Sequence, residues 1–257
     1  MLSSTVVVLH SRFYRSALFL VTLALLAGCT STAPAGYSSL VLALHPTAYW
    51  KLDSAALTIN DSSGHGNDGT LSQAAGQVPG PLHGIGAKAL HFDGPQSIAI
   101  THPIGLGPST SLELWVNYSS TTPVHILRSN GTNSSGDYHF VEVFLALPTS
   151  STNHVFSVYD FLPSGAASAS ATSPISANVW HYLVLTNDGT TDILYQDGVQ
   201  VGAGPSAKAI LTPSILPTNP AIEIGSGTGK SLANIAIYPL VLTPAQVQSH
   251  WQAGCGC

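Results

Sequence analysis

Charged residues are scarce in this chain, and their scarcity limits the partners that can be expected. Asp, Glu, Lys and Arg make up 7% of its 257 residues, against roughly a quarter in average soluble domains. Only seven residues are Lys or Arg, and they form no basic patch of the kind that nucleic-acid-binding proteins carry. We therefore expect no nucleic acid among the partners of this protein.

Several catalytic motifs are missing as well. The eleven histidines include no His-Glu-x-x-His pair, and no Gly-x-Ser-x-Gly elbow marks a serine nucleophile. Glycoside hydrolysis usually needs two carboxylates, yet no second acid stands two residues from Glu113, Glu142 or Glu223. The sequence thus favours a protein without catalytic activity. Acids that meet only in the folded chain leave an enzyme open as the alternative.

No apolar run reaches the ~20 residues that a membrane-spanning helix needs. The run Ala17–Gly28 follows Arg12 and Arg15, which together are typical of a signal peptide over residues 1–28. Its end, Leu26-Ala27-Gly28-Cys29, resembles the bacterial lipobox. That resemblance implies an acylated Cys29 and a lipid anchor on the outer side of the cell membrane or outer membrane. An ordinary signal peptide with a chance cysteine is the alternative.

The rest of the chain predicts strands. Residues 29–39 are small and aperiodic, which predicts a flexible tether before a domain at residues 40–254. Within Asn178–Gly204, three short apolar runs are joined by turns at Asn187–Gly189 and Asp197-Gly198, which predicts a three-stranded meander. Further strands are predicted at 48–52, 89–92, 97–100, 111–118, 124–128, 138–147, 154–161, 221–225 and 234–238. Residues 164–173 and the proline-rich 205–220 are predicted as loops.

One helix is predicted, at Thr243–Gln252. Thr243 suits the N-cap, Pro244 the first helical position, and Gln246 completes a capping box. Val247 and Trp251 share the face that would dock on the sheets, and Gly254 is expected to end the helix.

Six segments of the chain together resemble a known family. The segments 49–52 (YWKL), 61–70 (DSSGHGNDGT), 87–94 (AKALHFDG), 111–116, 180–198 and 235–251 are similar, in order, to the LamG-like jellyroll domain of the concanavalin A-like lectin/glucanase superfamily. The resemblance implies an all-β, two-sheet antiparallel jellyroll sandwich, here with one short C-terminal helix. It also implies frequent carbohydrate binding or adhesion. The closely spaced acids of the superfamily's hydrolases are absent.

A structural calcium ion is the one cofactor that the sequence suggests. Calcium prefers carboxylate, amide and carbonyl oxygens, and Asp61, Asn67 and Asp68 offer them within a glycine-rich loop. The family resemblance implies further acidic ligands before the last strand, but Ala233 and Asn234 stand there instead. A metal-free turn held by its own Asp and Asn side chains is the alternative.

A glycan ligand would stack on aromatic rings and bond to polar side chains. Trp115, Tyr138 and His139 are the candidate ligand-binding residues, although a buried structural role is open for each. The tail 255–257 carries Cys255 and Cys257, which could pair with each other or with another chain.

These observations predict a lipid-anchored, extracytoplasmic protein whose single domain binds a polysaccharide or glycoconjugate, or mediates adhesion, without catalysis. A glycan-cleaving enzyme and a purely structural or protein-binding surface domain are the alternatives.

Overall fold

The computed structural model describes residues 36–83, 87–102, 104, 109–132, 138–148, 153–162, 165–206 and 222–257. In chain order its elements are α1 (Tyr37–Ala43), β1 (Ala48–Trp50), β2 (Thr58–Ile59), β3 (Gly69–Leu71), β4 (Gly76–Pro79), β5 (Lys88–Phe92), β6 (Ile98–Ile100), β7 (Thr110–Tyr118), β8 (Val124–Thr132), β9 (Tyr138–Ala146), β10 (His154–Leu162), β11 (Gly165–Ile175), β12 (His181–Asn187), β13 (Thr191–Gln196), β14 (Val199–Pro205), β15 (Ile222–Ile224), β16 (Lys230–Tyr238) and α2 (Pro244–Cys255).

The strands form two antiparallel sheets. Sheet A has the order β14-β13-β12-β7-β16-β5-β4, with β1 paired to β16, and sheet B has the order β11-β10-β9-β8-β15-β6-β3-β2. The predicted meander is β12, β13 and β14, in register as successive hairpins. Two antiparallel sheets and little helix confirm the predicted jellyroll sandwich.

Two apolar layers hold the sandwich together. The first lies between the sheets and contains Trp50, Leu114, Phe156 and Ile224 among many aliphatic side chains. The second lies between the outer face of sheet A and the two helices. The central strands β7, β12 and β16 of sheet A are therefore buried on both faces, and all nine residues of β16 are buried. Among the described residues, no helix covers the outer face of sheet B, and the side chains of His125 and Arg128 on it are partly exposed; we call it the open face.

The structure corrects the prediction of a loop at residues 164–173. Those residues lie almost wholly in β11, which pairs with β10 along most of its length. Alternating small side chains let β11 close one edge of the sandwich against β14. A Cβ atom at Gly202 would lie only 2.5 Å from the carbonyl oxygen of Ser170, so this approach requires glycine.

Helix α2 confirms the predicted N-terminus and corrects the predicted end. The capping box of Thr243 and Gln246 is present in full. The helix runs past Gly254 to Cys255, and Gly256 ends it with a φ of 67°. Helix α1 was not predicted, and its first residues fall in the segment that the sequence assigned to the tether.

The predicted signal peptide, Cys29 and most of the proline-rich loop lie outside the described residues. Within the described part of the chain, no helix has the length and apolar character needed to traverse a bilayer.

Candidate functional site

The open face of sheet B carries a row of polar and aromatic side chains. Outward-facing residues of adjacent strands stand opposite one another in the order Glu223, Arg128, Glu142 and Tyr159. Opposed residues on one face lie close enough for their side chains to interact. The alternation of β9 produces this arrangement, because Val143 and Leu145 point into the core and Glu142 points away from it.

Two of these side chains, Arg128 and Glu142, form what we call the charged cluster together with His125. Oε1 of Glu142 accepts a hydrogen bond from Nδ1 of His125 at 2.5 Å and one from a guanidinium nitrogen of Arg128 at 3.0 Å. A β-bulge between His125 and Leu127 positions the imidazole. The Glu142 side chain is mostly buried, whereas those of His125 and Arg128 are 48% and 39% exposed. The cluster therefore presents a partly exposed imidazole and a partly exposed guanidinium beside a shielded carboxylate.

The electrostatics of the cluster keep Glu142 ionised. Burial alone would raise the pKa of Glu142, but hydrogen bonds and positive charge from His125 and Arg128 outweigh it and lower that pKa. A carboxylate of this kind accepts hydrogen bonds and is poorly suited to donate a proton at neutral pH. The geometry thus suits binding of hydroxyl groups better than general-acid catalysis.

Aromatic rings extend the cluster toward β10. The Arg128 guanidinium lies 4.9 Å from the ring centroid of Phe140, and Phe140 stacks on Phe161 with centroids 5.2 Å apart. The residue opposite Phe161 on β11 is Ala166, which is small and exposed. The side of Phe161 toward β11 thus faces a small residue rather than a large one.

Two cavities adjoin the charged cluster. The smaller, of about 90 Å³, is lined by the whole cluster together with Glu223 and Ser226. The Nε atom of Arg128 is buried without a hydrogen-bond partner, and a buried donor of this kind is costly unless an acceptor is supplied. The larger cavity, of about 520 Å³, shares His125 and Ser226 with the smaller one.

The charged cluster was not predicted as a site. In the sequence, Glu142 stands out only as a possible catalytic acid, and no motif marks Arg128. The available signal was the alternation Val141-Glu142-Val143-Phe144-Leu145, in which polar and aromatic residues occupy every second position of a half-buried strand.

Trp115, a predicted ligand residue, lies in the layer beneath the helices. It is 2% exposed and stacks on Trp251 with centroids 5.3 Å apart. The ring also lies against Gly254, where a Cβ atom would meet it at 2.3 Å. Its position is that of a core residue, without an open face for a sugar.

Tyr138 and His139 begin β9, where their backbones pair with Thr132 and Gly131. Their side chains lie outside the described part of the structure, so the prediction that they bind ligand stays a prediction.

Asp61, Asn67 and Asp68 come together, but in a hydrogen-bonded turn. Each Asp61 oxygen accepts two hydrogen bonds: Oδ1 from the N–H groups of Tyr49 and Ser63, and Oδ2 from the Ser63 hydroxyl and the N–H of Asn67. Oδ1 of Asp68 accepts from the N–H of Asp61 at 2.7 Å.

These hydrogen bonds occupy oxygen atoms that the predicted calcium ion would need. Two carboxylate oxygens offer about four acceptor directions, and the four donors use them at Asp61. Oδ1 of Asn234, which stands where the family resemblance implies an acid, accepts from the Tyr49 hydroxyl. Within the described residues no three His, Cys, Asp or Glu side chains are grouped to hold a metal ion. The Asp61 carboxylate therefore has no acceptor direction left for a calcium ion.

The structure pairs Cys255 with Cys257, the intramolecular alternative, with the Cα atoms 5.4 Å apart.

A family model of the laminin G type, described as the concanavalin A-like lectin/glucanases superfamily, matches residues 92–248. The chain belongs to this family. The match includes the strands that carry the charged cluster. Among curated protein sequences, none matches the chain at a significant level.

Solved structures show the same fold. Domain 4 of AbnA, a GH43 extracellular arabinanase from Geobacillus stearothermophilus, solved with arabinotriose, is 20% identical, and the match covers 80% of this chain and 98% of that one, with a TM-score of 0.59. The binding domain of Paraclostridial Mosquitocidal Protein 1 is 13% identical, with 81% of this chain and 52% of that one covered and a TM-score of 0.60. The binding domain of botulinum neurotoxin DC, in complex with SialylT, is 10% identical, with 81% and 51% covered and a TM-score of 0.51. The chain spans about half the length of these two toxin domains.

Proposed function

We propose that this protein is a non-catalytic carbohydrate-binding domain whose glycan binds on the open face of sheet B. The observation that carries the proposal is the charged cluster, with partly exposed His125 and Arg128 side chains, beside partly exposed aromatic rings and a small cavity. Sugar rings present apolar C–H faces and hydroxyl groups, which match aromatic surface and polar side chains respectively. The arabinotriose complex of the similar arabinanase domain supports this choice of ligand class.

In this proposal each group has a defined role. Arg128 presents its partly exposed guanidinium to a ligand oxygen, while its bond to Glu142 and its contact with Phe140 fix that group. The half-exposed His125 offers a further polar group at the rim of the site. Phe161 contributes apolar surface at the end of the aromatic stack.

Binding by purified domain tests the proposal. We expect a glycan array to identify at least one polysaccharide, and Arg128→Ala to weaken its binding by about tenfold to a hundredfold, because hydrogen bonds from a charged group contribute roughly 1.5–3 kcal/mol. Lys88→Ala is the matched control, since Lys88 is an exposed cation on sheet A bonded only to Gln77. No binding to any glycan, or equal losses in both variants, would overturn the assignment.

A glycan-cleaving enzyme is the second candidate, favoured by one observation. Glu142 and Glu223 line the same small cavity on either side of Arg128, and two carboxylates across a bond are what hydrolysis requires. Reducing-end release from the bound polysaccharide, abolished by Glu223→Gln, would establish this activity. The lowered pKa of Glu142 suits it to the ionised carboxylate of such a pair, so Glu223 would have to donate the proton.

We also propose that Cys29 carries the lipid that holds the domain on the outer side of a membrane, with residues 30–35 as part of the tether. The lipobox-like Leu26–Cys29 and the preceding apolar run support this assignment. Cells expressing the full chain with labelled palmitate should incorporate label into the wild type and not into Cys29→Ser. Label in both, or in neither, would contradict the anchor.

A further inference from the structure

A cavity of about 520 Å³, which we call the cleft, lies beside the charged cluster. It is lined by three stretches of chain: Gly94-Pro95, Thr122–His125, and Ser226–Thr228 with Lys230. His125 and Ser226 also line the small cavity. The cleft and the small cavity thus adjoin at these two residues, and we call the two together the depression.

Apart from His125 of the charged cluster, the exposed side chains that line the cleft are uncharged. Pro95 and Pro123 provide apolar walls, and Thr122 and Thr228 provide hydroxyl groups. Lys230 is the cation of this lining, but it is 1% exposed, and its ammonium group donates to the carbonyl oxygens of Ser226 and Gly227 at 2.7 and 2.6 Å. Its charge is therefore directed into the protein rather than toward a ligand.

The charges of the whole depression do not favour an anion. Arg128 is paired with Glu142, and Glu223 adds a further carboxylate. Carboxylates of a ligand would meet Glu223, while Arg128 and Lys230 in this lining already bond to Glu142 and to backbone carbonyl oxygens. Like charges at close range disfavour binding, so an uncharged ligand fits best.

The depression follows the direction of β8. Its lining runs from Thr122 through His125 to Arg128, and the aromatic stack begins beside the latter. Within β8, the backbone from Val124 to Arg128 covers about 13 Å at ~3.3 Å per residue, and Thr122 and Pro123 extend the lining beyond the strand. A single sugar ring cannot contact both ends of this track, whereas a short chain of sugars can.

We propose that the site takes an internal stretch of an uncharged glycan, several sugars long, laid along β8 from the aromatic stack into the cleft. This inference rests on the proposed function and narrows it: it states the charge of the glycan, the length of chain recognised and the second group of residues that bind it.

Titration calorimetry with oligosaccharides of increasing length tests the inference. The probes are arabino- and cello-oligosaccharides from disaccharide to hexasaccharide, with oligogalacturonates as the anionic series. We expect the affinity for one neutral series to rise by at least about tenfold, or roughly 1.4 kcal/mol, between its shortest and longest members. The oligogalacturonates are expected to bind at least about tenfold more weakly than neutral chains of equal length.

A bulky substitution in the cleft tests whether the added sugars bind there. Thr228 is exposed at the cleft, so Thr228→Trp should remove the gain with length while short oligosaccharides bind as in the wild type. Gln248→Trp adds the same bulk on the exposed surface of α2 and should change neither.

The outcomes separate this inference from the proposed function. Short sugars that bind with an affinity independent of length, a length gain that survives Thr228→Trp, or tighter binding of oligogalacturonates would each overturn the inference and leave carbohydrate binding intact. Failure of every oligosaccharide and of the array polysaccharides to bind would overturn both.

Discussion

At the scale of single residues, Glu113 shows how this fold uses a buried charge. It is fully buried on β7, and its two oxygens accept hydrogen bonds from three tyrosine hydroxyls and one imidazole: Tyr37, Tyr182, Tyr238 and His250. Burial and the nearby Glu113 carboxylate raise the pKa of Tyr182 and Tyr238, so these phenols remain donors. Since Tyr37 belongs to α1 and His250 to α2, one carboxylate joins both helices to sheet A.

This arrangement predicts that Glu113→Gln destabilises the domain by about 2–4 kcal/mol, because an amide cannot accept all four donors and adds buried donors of its own. The measurement is urea unfolding of both proteins, with Glu223→Gln on the open face as the control. The control should change the free energy of unfolding by less than about 0.5 kcal/mol. Equal effects of the two substitutions would show that the Glu113 network does not stabilise the fold.

At the scale of elements, the turn around Asp61 depends on hydrogen bonds to a single side chain. Its carboxylate holds residues 49, 63 and 67 together through four hydrogen bonds. Burial would raise the pKa of Asp61, but these bonds outweigh it and lower that pKa. The stabilisation is therefore present above the pKa of the unfolded chain, about 4, and is lost as the pH falls through the lower pKa of the folded state.

We predict that the melting temperature is the same with calcium and with a chelator. A calcium ion at Asp61 would have to displace N–H and O–H groups of the protein that already bond to its carboxylate. Asp61→Asn should lower stability at neutral pH by about 1–3 kcal/mol and flatten its decline at acid pH. Thermal melts across pH, with and without chelator, measure both effects. A chelator that lowers the midpoint for the wild type and not for Asp61→Asn would show that calcium binds in this loop.

Elements also show what the sequence could and could not predict. The β12–β14 meander and the start of α2 were predictable, because turn residues and the capping box act locally. β11 was not, because its small residues carry no apolar alternation. Their strand conformation depends on pairing with β10 and on the close approach to Gly202. Helix α1 was missed for a similar reason, since seven residues become helical here through the packing of Tyr37 and Val41.

At the scale of the whole molecule, the two sheets have different tasks. The central strands of sheet A are buried on both faces and support the helices, so the aromatic residues there, Trp115 included, serve stability. Sheet B has one face in the core and one in solvent, and the charged cluster lies on the latter. Sequence could predict the sandwich but not this division, because which sheet the helices cover depends on contacts between distant segments, such as Tyr37 with Glu113.

The location of the bound glycan is the most direct test of the account. Amide chemical shifts of labelled domain, recorded during titration with the polysaccharide fragment that binds best, report that location residue by residue. We predict that the largest changes fall on β8, β9 and β15 and on the cleft residues 122–125 and 226–230. Changes concentrated in the turn at residues 60–69, or around α1 and α2, would contradict the claim that the open face of sheet B binds the glycan.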